Sequence, residues 1–340
     1  MKKVLTVLFF LLFTFLFTLV LILGELNFYV LTPAFLKDPM KEARIYKKLT
    51  SDPELIMEQL QQQGPGKPLE QMPAVARELS AVVLRSVDAK WLEAESEKAV
   101  DALFEYMMSD QTALEIKVDL RVFKLNLRKN LDAWIKTKYA SLPEVPVEEF
   151  DRQISEGKEK FPMVRPQGLT LEQSLAKTGF DPVGEIMKKI PDKYEAGLED
   201  KDKKDGMNGL SGVKRLRPVF TGISIAFYVL SLLTIGLLIL AAKVTSKSNR
   251  ELFIKLGMYL CAAIAPLATF IVTRYVIVNI AIVELIPRAG LPSFVRNELL
   301  VPVLTSAINR VFLHLSLLSG ILFLCGLALF ILPRVSSKMK

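Results

Sequence analysis

Cysteine and histidine are nearly missing from this chain: two of the first and one of the second in 340 residues. Cys261, Cys325 and His314 all sit in apolar stretches of the second half. The polar region between residues 25 and 217 has neither residue type. A disulfide, a thiolate or imidazole zinc site, and Ser-His-Asp or Cys-His triads are therefore excluded there. No G-x-S-x-G, phosphate loop or dinucleotide fingerprint occurs. Glu148 and Glu149 are adjacent, so on a helix they point different ways and read as solvated surface. No Asn-x-Ser/Thr sequon occurs, and a bacterial cytoplasmic membrane is the natural setting. No cofactor and no enzymatic activity are expected.

What the chain has instead is segregation. It is 51% hydrophobic, with a mean hydropathy of +0.32, yet 24% of its residues are charged. Residues 4–23 carry no charge, residues 25–217 are rich in Lys, Glu, Asp and Gln, and residues 218–333 are again mainly apolar. The formal charge is +8. Its placement matters more than its total. Lys2 and Lys3 precede the first apolar run, Lys243, Lys247, Arg250 and Lys255 follow the second, and Arg334, Lys338 and Lys340 follow the fourth. Basic residues beside apolar runs hold short loops in the cytoplasm. The partner they imply is a lipid bilayer, with anionic lipid compatible, and not nucleic acid.

Four segments are long enough to cross a bilayer, for which about 20 residues suffice. The first, Val4 to Leu23, could be a cleaved signal peptide. Its length and the absence of a small-x-small site favour an uncleaved signal anchor over residues 1–24. The second runs from about Pro218 to Ala242, the third from Phe253 to about Val283, and the fourth from Val311 to Leu332. The predicted fold class is thus membrane α-helical, with four transmembrane helices and a mainly α extracytoplasmic domain bearing a small two-stranded β element. Residues 25–195 form that domain and 196–217 a polar linker. Residues 218–340 form a three-helix unit with an interfacial segment at 285–310. Both termini are placed in the cytoplasm and residues 25–217 outside. Arg215, Arg217, Arg288, Arg296 and Arg310 flank the outer ends and weigh against this orientation, but long domains translocate largely regardless of charge.

Polar residues in or near the apolar segments are the candidate functional positions. Pro266 predicts a kink in the third segment. Arg274 either snorkels to the outer headgroups or pairs with Glu284 or Glu298. Asn279 and Glu284 follow it. Arg310 opens the fourth segment and His314 lies one turn further in, as an interfacial residue or a proton-relay candidate. Small residues on the later segments (Gly222, Ser231 and Gly236; Ala262 to Ala268; Ser316, Gly320 and Gly326) favour close helix contact in a packed bundle of segments two to four, and Ser316 and Gly320 have small-xxx-small spacing. The first segment, rich in Phe and Leu, reads as lipid-facing or peripheral.

Within the polar region, helices are predicted at Asp38 to Leu49, from the Ser51–Glu54 capping box to Gln63, and at Pro73–Val87, Lys90–Met108 and Arg121–Tyr139. Leu114 to Leu120 alternates apolar and charged residues and predicts a half-buried strand, with Met163–Leu171 as its candidate partner. Thr170 and Gln173 form a second capping box. Asp200, Asp202, Asp205 and Gly206 suggest a calcium loop, but the spacing is one residue off and the closing Glu is missing. A solvated linker is the better reading.

The segment LEIKVDLRVFKLNLRKNL, Leu114 to Leu131, resembles bacterial four-span membrane proteins with an N-proximal extracytoplasmic helical domain, a likeness that implies no activity. One span, an outer domain and then three spans also resembles the layout of MacB- and FtsX-type permeases. This chain has few residues ahead of the first span for a cytoplasmic ATPase to grip. The expectation is a scaffold, sensor or assembly factor whose outer domain binds a protein or envelope component. The alternative is a transporter or mechanotransmission subunit.

Overall fold

The structure, a computed structural model, describes residues 2–51, 74–109, 111, 113–155, 164–179, 181–199, 209–272, 276, 280 and 295–335. The expected helix after Ser51, the calcium-like Asp200–Gly206 stretch, and Arg274, Asn279 and Glu284 lie outside these residues.

In chain order the elements are α1 (Lys2–Glu25), a π turn (Leu26–Val30), α2 (Ala34–Glu42), α3 (Ile45–Ser51), α4 (Ala74–Arg85), α5 (Ala89–Met108) and β1 (Ala113–Asp119). There follow α6 (Arg121–Ser141), β2 (Glu144–Val145), α7 (Val147–Ser155), β3 (Arg165–Pro166), α8 (Leu171–Thr178), α9 (Pro182–Lys189) and β4 (Lys193–Glu199). The last helices are α10 (Gly209–Thr245), α11 (Asn249–Ala263), α12 (Ala265–Val272) and, after a π turn at Val295–Leu300, α13 (Val301–Val335). Four helical stretches are long and apolar enough to cross a membrane: Thr6–Val30, Arg217–Thr245, Asn249–Thr269 and Val295–Arg334.

The chain divides into two compact units. The first comprises Met1–Ala43, Val100–Leu114 and Leu198–Lys340, and so contains all four long apolar helices. Here α1 packs along α10, and α11 packs along α13. Phe13 and Leu21 of α1 are almost fully buried. Phe13 joins Ala241, Tyr259 and Ala263, and Leu21 joins Leu267 and Leu315. The expectation of a lipid-facing or peripheral first segment therefore fits one face of α1 only. One face carries Val7, Leu8, Leu11 and Phe15 exposed, and the opposite face is interior.

The closest helix approach is also not where the small-residue spacing put it. Gly320 has open space around it, and the Ser316 hydroxyl donates to its own helix at Phe312 O. The contact is made by Gly257 and Gly326. A Cβ on Gly257 would lie 2.4 Å from Gly326 O and 2.7 Å from Phe330 N. Two glycines let the backbones of α11 and α13 touch, which any side chain would prevent. The kink predicted at Pro266 is observed as a break: α11 ends at Ala263 and α12 restarts at Ala265. Proline has no N–H to return to the preceding turn.

The second unit is Arg44–Ala99 with Glu115–Gly197. Its core is the apolar stripe of α6, Leu127, Leu131 and Ile135, packed against Val82 of α4 and Val183 of α9. Local signals set its boundaries. Arg44 takes a φ of 54° and separates α2 from α3, where one continuous helix was expected. The Thr170–Gln173 capping box is formed in both directions, and Gly179 closes α8 at φ 63°. Asp181 caps Gly184 N ahead of Pro182 in the first turn of α9.

The strand expected at Leu114–Leu120 is present as β1, but its partner is β4 and not Met163–Leu171. Residues Arg165–Pro166 pair instead with Glu144–Val145, in parallel. There are thus two two-stranded sheets among the described residues. Tertiary anchors choose the partner. Leu120 N donates to Asp192 O at 2.8 Å, Lys124 meets Asp192 at 2.5 Å, and Asp192 leads directly into β4. At the same end of β1, Trp91 Nε1 donates to Asp119 O (2.7 Å), and Asp119 N donates to the buried Glu95 carboxylate (3.0 Å). The Arg121 side chain, with its backbone N–H, holds the Asp119 carboxyl well below the usual carboxylate range.

Candidate functional site

The site begins as a stripe on one helix. Ser306, Arg310 and His314 are spaced four residues apart on α13, so they lie one above another on a single face. Opposite them, Asp38 and Glu42 have the same spacing on α2, and Glu25 ends α1. The structure joins the two sets. Arg310 Nη1 donates to Asp38 Oδ2 at 2.7 Å, and Arg310 Nε donates to Glu42 Oε2 at 3.2 Å. The Ser306 hydroxyl donates to the same Glu42 oxygen. These two donors, Ser306 first and then Arg310, hold the Glu42 carboxyl below its ordinary range.

One turn along the stripe, His314 Nδ1 lies 3.2 Å from Glu25 Oε1. The Tyr29 ring stands edge-on to the imidazole with centroids 4.4 Å apart. The buried Tyr29 hydroxyl lies beside the Arg310 guanidinium, outside hydrogen-bond geometry. Nearby on the same turn, Ser224 of α10 donates to Asn27 Oδ1 at 2.5 Å. The result is a layer of paired charges and hydrogen bonds joining three of the four long apolar helices at one end.

The opposite ends are also tied. Arg250 Nε, at the start of α11, donates to Pro333 O at the end of α13 (2.9 Å). Ser248 caps Glu251 N, Glu251 accepts from Lys247 N, and Lys255 reaches Thr245 O. The basic link between the second and third apolar helices is therefore an ordered turn.

Beside Arg310 a groove of about 460 Å³ opens between α2 and α13. Glu42, Thr305, Ser306, Asn309 and Arg310 supply its polar lining, and Pro302 and Leu313 its apolar part. The arrangement can hold charge at a fixed position, tie α2 to α13, and offer a mainly apolar groove with a few polar groups, next to an apolar helix face.

Of the candidates named from sequence, Arg310 and His314 belong to this one layer, and Arg274, Asn279 and Glu284 are outside the described residues. Sequence reading missed Glu25, Asp38, Glu42 and Ser306. The four-residue spacing of Asp38 with Glu42, matched by that of Ser306 with Arg310, was the available signal. Comparisons with protein-family models, curated proteins and solved structures return no match to this chain.

Proposed function

We propose that this chain is a multi-pass membrane protein that presents residues 25–217 outside the membrane to bind a protein or envelope component, without enzymatic activity. Matched depth carries the membrane part of this reading. Glu25 is 22 positions after Lys3, about 33 Å along a helix. His314 is 20 positions before Arg334, about 30 Å along a helix. Both distances approximate the ~30 Å hydrocarbon thickness, and the two side chains are in contact. Two independent counts from basic ends thus agree on one level. That supports a common side for both termini, which the lysine and arginine distribution assigns to the cytoplasm.

Cysteine accessibility tests the topology. After Cys261 and Cys325 are replaced by Ser, a membrane-impermeant maleimide added to intact cells is expected to label Lys136→Cys and not Lys247→Cys. The reverse pattern overturns it. The binding role is tested with a photocrosslinker at Leu125, an exposed apolar residue on α6. A recurrent adduct from native membranes is expected, and none forming would count against the role.

A second reading is a transport or mechanotransmission subunit with the MacB- and FtsX-like layout. The tie of Arg310 to both Asp38 and Glu42 favours it, because α2 follows the first span and α13 contains the fourth. Movement of the segment leading outward would be transmitted to a membrane helix. Co-purification of an ATPase from native membranes is the outcome that distinguishes it.

A further inference from the structure

The bonds within the Arg310 cluster leave a particular set of groups unused. Glu42 accepts both its donors through Oε2, and Oε1 has no partner among the described residues. Arg310 commits Nε and Nη1 to the two carboxylates, and Nη2 makes no hydrogen bond among the described residues, although the Tyr29 hydroxyl lies beside the guanidinium. Thr234, Ser316 and Ser319 return their hydroxyls to the carbonyl four residues back, whereas the groove-lining Thr305 makes no such bond. The exposed Asn309 amide likewise has no partner among the described residues.

The groove thus offers an anionic acceptor beside a cationic donor, a hydroxyl and an amide. Two carboxylates face one guanidinium, so a purely anionic ligand meets net repulsion. A simple cation would leave Arg310 Nη2, Thr305 and Asn309 unused. The complement is a zwitterion with N–H donors at one end and phosphate oxygens at the other.

Position narrows the source. Arg310 is 24 positions before Arg334, about 36 Å along the helix, just beyond the ~30 Å hydrocarbon layer and so at headgroup level. From Leu313, which lines the groove, an exposed apolar strip continues along α13 through Leu317, Ile321 and Leu324. An acyl chain can lie along such a strip.

On the membrane assignment made above, we propose that this groove binds an aminophospholipid of the phosphatidylethanolamine class. Its ammonium donates to Glu42, and its phosphate accepts from Arg310 Nη2, Thr305 and Asn309. One acyl chain follows Leu313 and Leu317. A choline headgroup has no N–H to give Glu42, and a glycerol headgroup has no cation to offer.

The test is native mass spectrometry of the full-length protein in detergent, titrated separately with phosphatidylethanolamine, phosphatidylcholine and phosphatidylglycerol. One phosphatidylethanolamine is expected to be retained with about tenfold preference over either competitor, the ratio that one charge-assisted contact supports. Glu42→Gln should bring that preference down to the choline level, and the milder Thr305→Val should reduce it about threefold. Equal retention of the three lipids, a preference for phosphatidylglycerol, or unchanged selectivity in both variants overturns the assignment. Flotation with vesicles separates the two levels of failure. A chain that does not float refutes the membrane reading itself, and one that floats without headgroup preference refutes only the lipid site.

Discussion

Glu25 and His314 stand 289 positions apart in the chain, and their side chains meet at 3.2 Å. The contact closes the end of the first apolar helix onto the fourth. Arg310, one turn earlier on the same stripe, does the same for the segment that follows, through Asp38 and Glu42.

The Arg310–Asp38 pair should show measurable coupling. Both groups are partly solvated, so a double-mutant cycle with Arg310→Gln and Asp38→Asn is expected to give about 0.5–1 kcal/mol. Thermal unfolding of the detergent-solubilised protein reads it, and strictly additive effects would mean the ion pair contributes nothing.

Gly257→Val should destabilise the helix bundle by about 1–3 kcal/mol or more, because the new side chain meets the backbone of α13. Gly320→Ala is the control. Nothing lies near that position, so a change in melting temperature beyond a degree or two would contradict the packing described.

The core of the second unit predicts a large loss on truncation. Leu131→Ala, at a site 2% exposed, should cost about 2–5 kcal/mol. Denaturant unfolding followed through the fluorescence of the adjoining Trp134 measures it. A shift no larger than that of an exposed control such as Lys136→Ala would refute the assignment of this core.

The capping box of α8 should contribute about 1 kcal/mol, lost in Thr170→Ala. Hydrogen exchange at Gln173 N, the amide that Thr170 Oγ1 accepts from, is expected to quicken while amides of α6 stay protected.

One acid-side transition is expected from Glu78. Its carboxylate accepts first from Lys138 Nζ and then from Trp134 Nε1, and both lower its pKa below the ordinary 4.5. A depressed folded-state value means this stabilisation is complete above about pH 4.5 and is lost as pH falls through the lowered value. Trp134 emission should therefore change at a pH below the usual glutamate range. Glu78→Gln should abolish that step, and a step at or above 4.5 would contradict the ion pair.

Much of this architecture was legible in the sequence because it rests on one-dimensional signals. Uninterrupted apolar runs, Pro266, the Thr170–Gln173 box and the α6 stripe are local patterns whose consequences are set by backbone hydrogen bonding and by the side-chain period. Pairing across long separations was not legible. Leu114–Leu120 alternates as a strand does, but alternation names no partner. Trp91, Glu95 and Asp192 fix the C-terminal end of β1 and bring β4 to it. Small residues marked Gly326 as well as Ser316 and Gly320, yet the crossing lies at Gly326 with Gly257, because only the register between two helices decides which small residue faces a neighbour.

The same division holds at the site. Arg310 and His314 stood out as polar residues at the border of an apolar helix, where an uncompensated charge is costly. Which carboxylates compensate them depended on α1 and α2 folding back against α13, a choice made by packing. Sequence by itself determined the four apolar helices and the helical character of the region between the first two. Only the tertiary structure decided that Glu25, Asp38 and Glu42 are the groups that meet Arg310 and His314, because electrostatic pairing acts through distance in space and no local pattern encodes it.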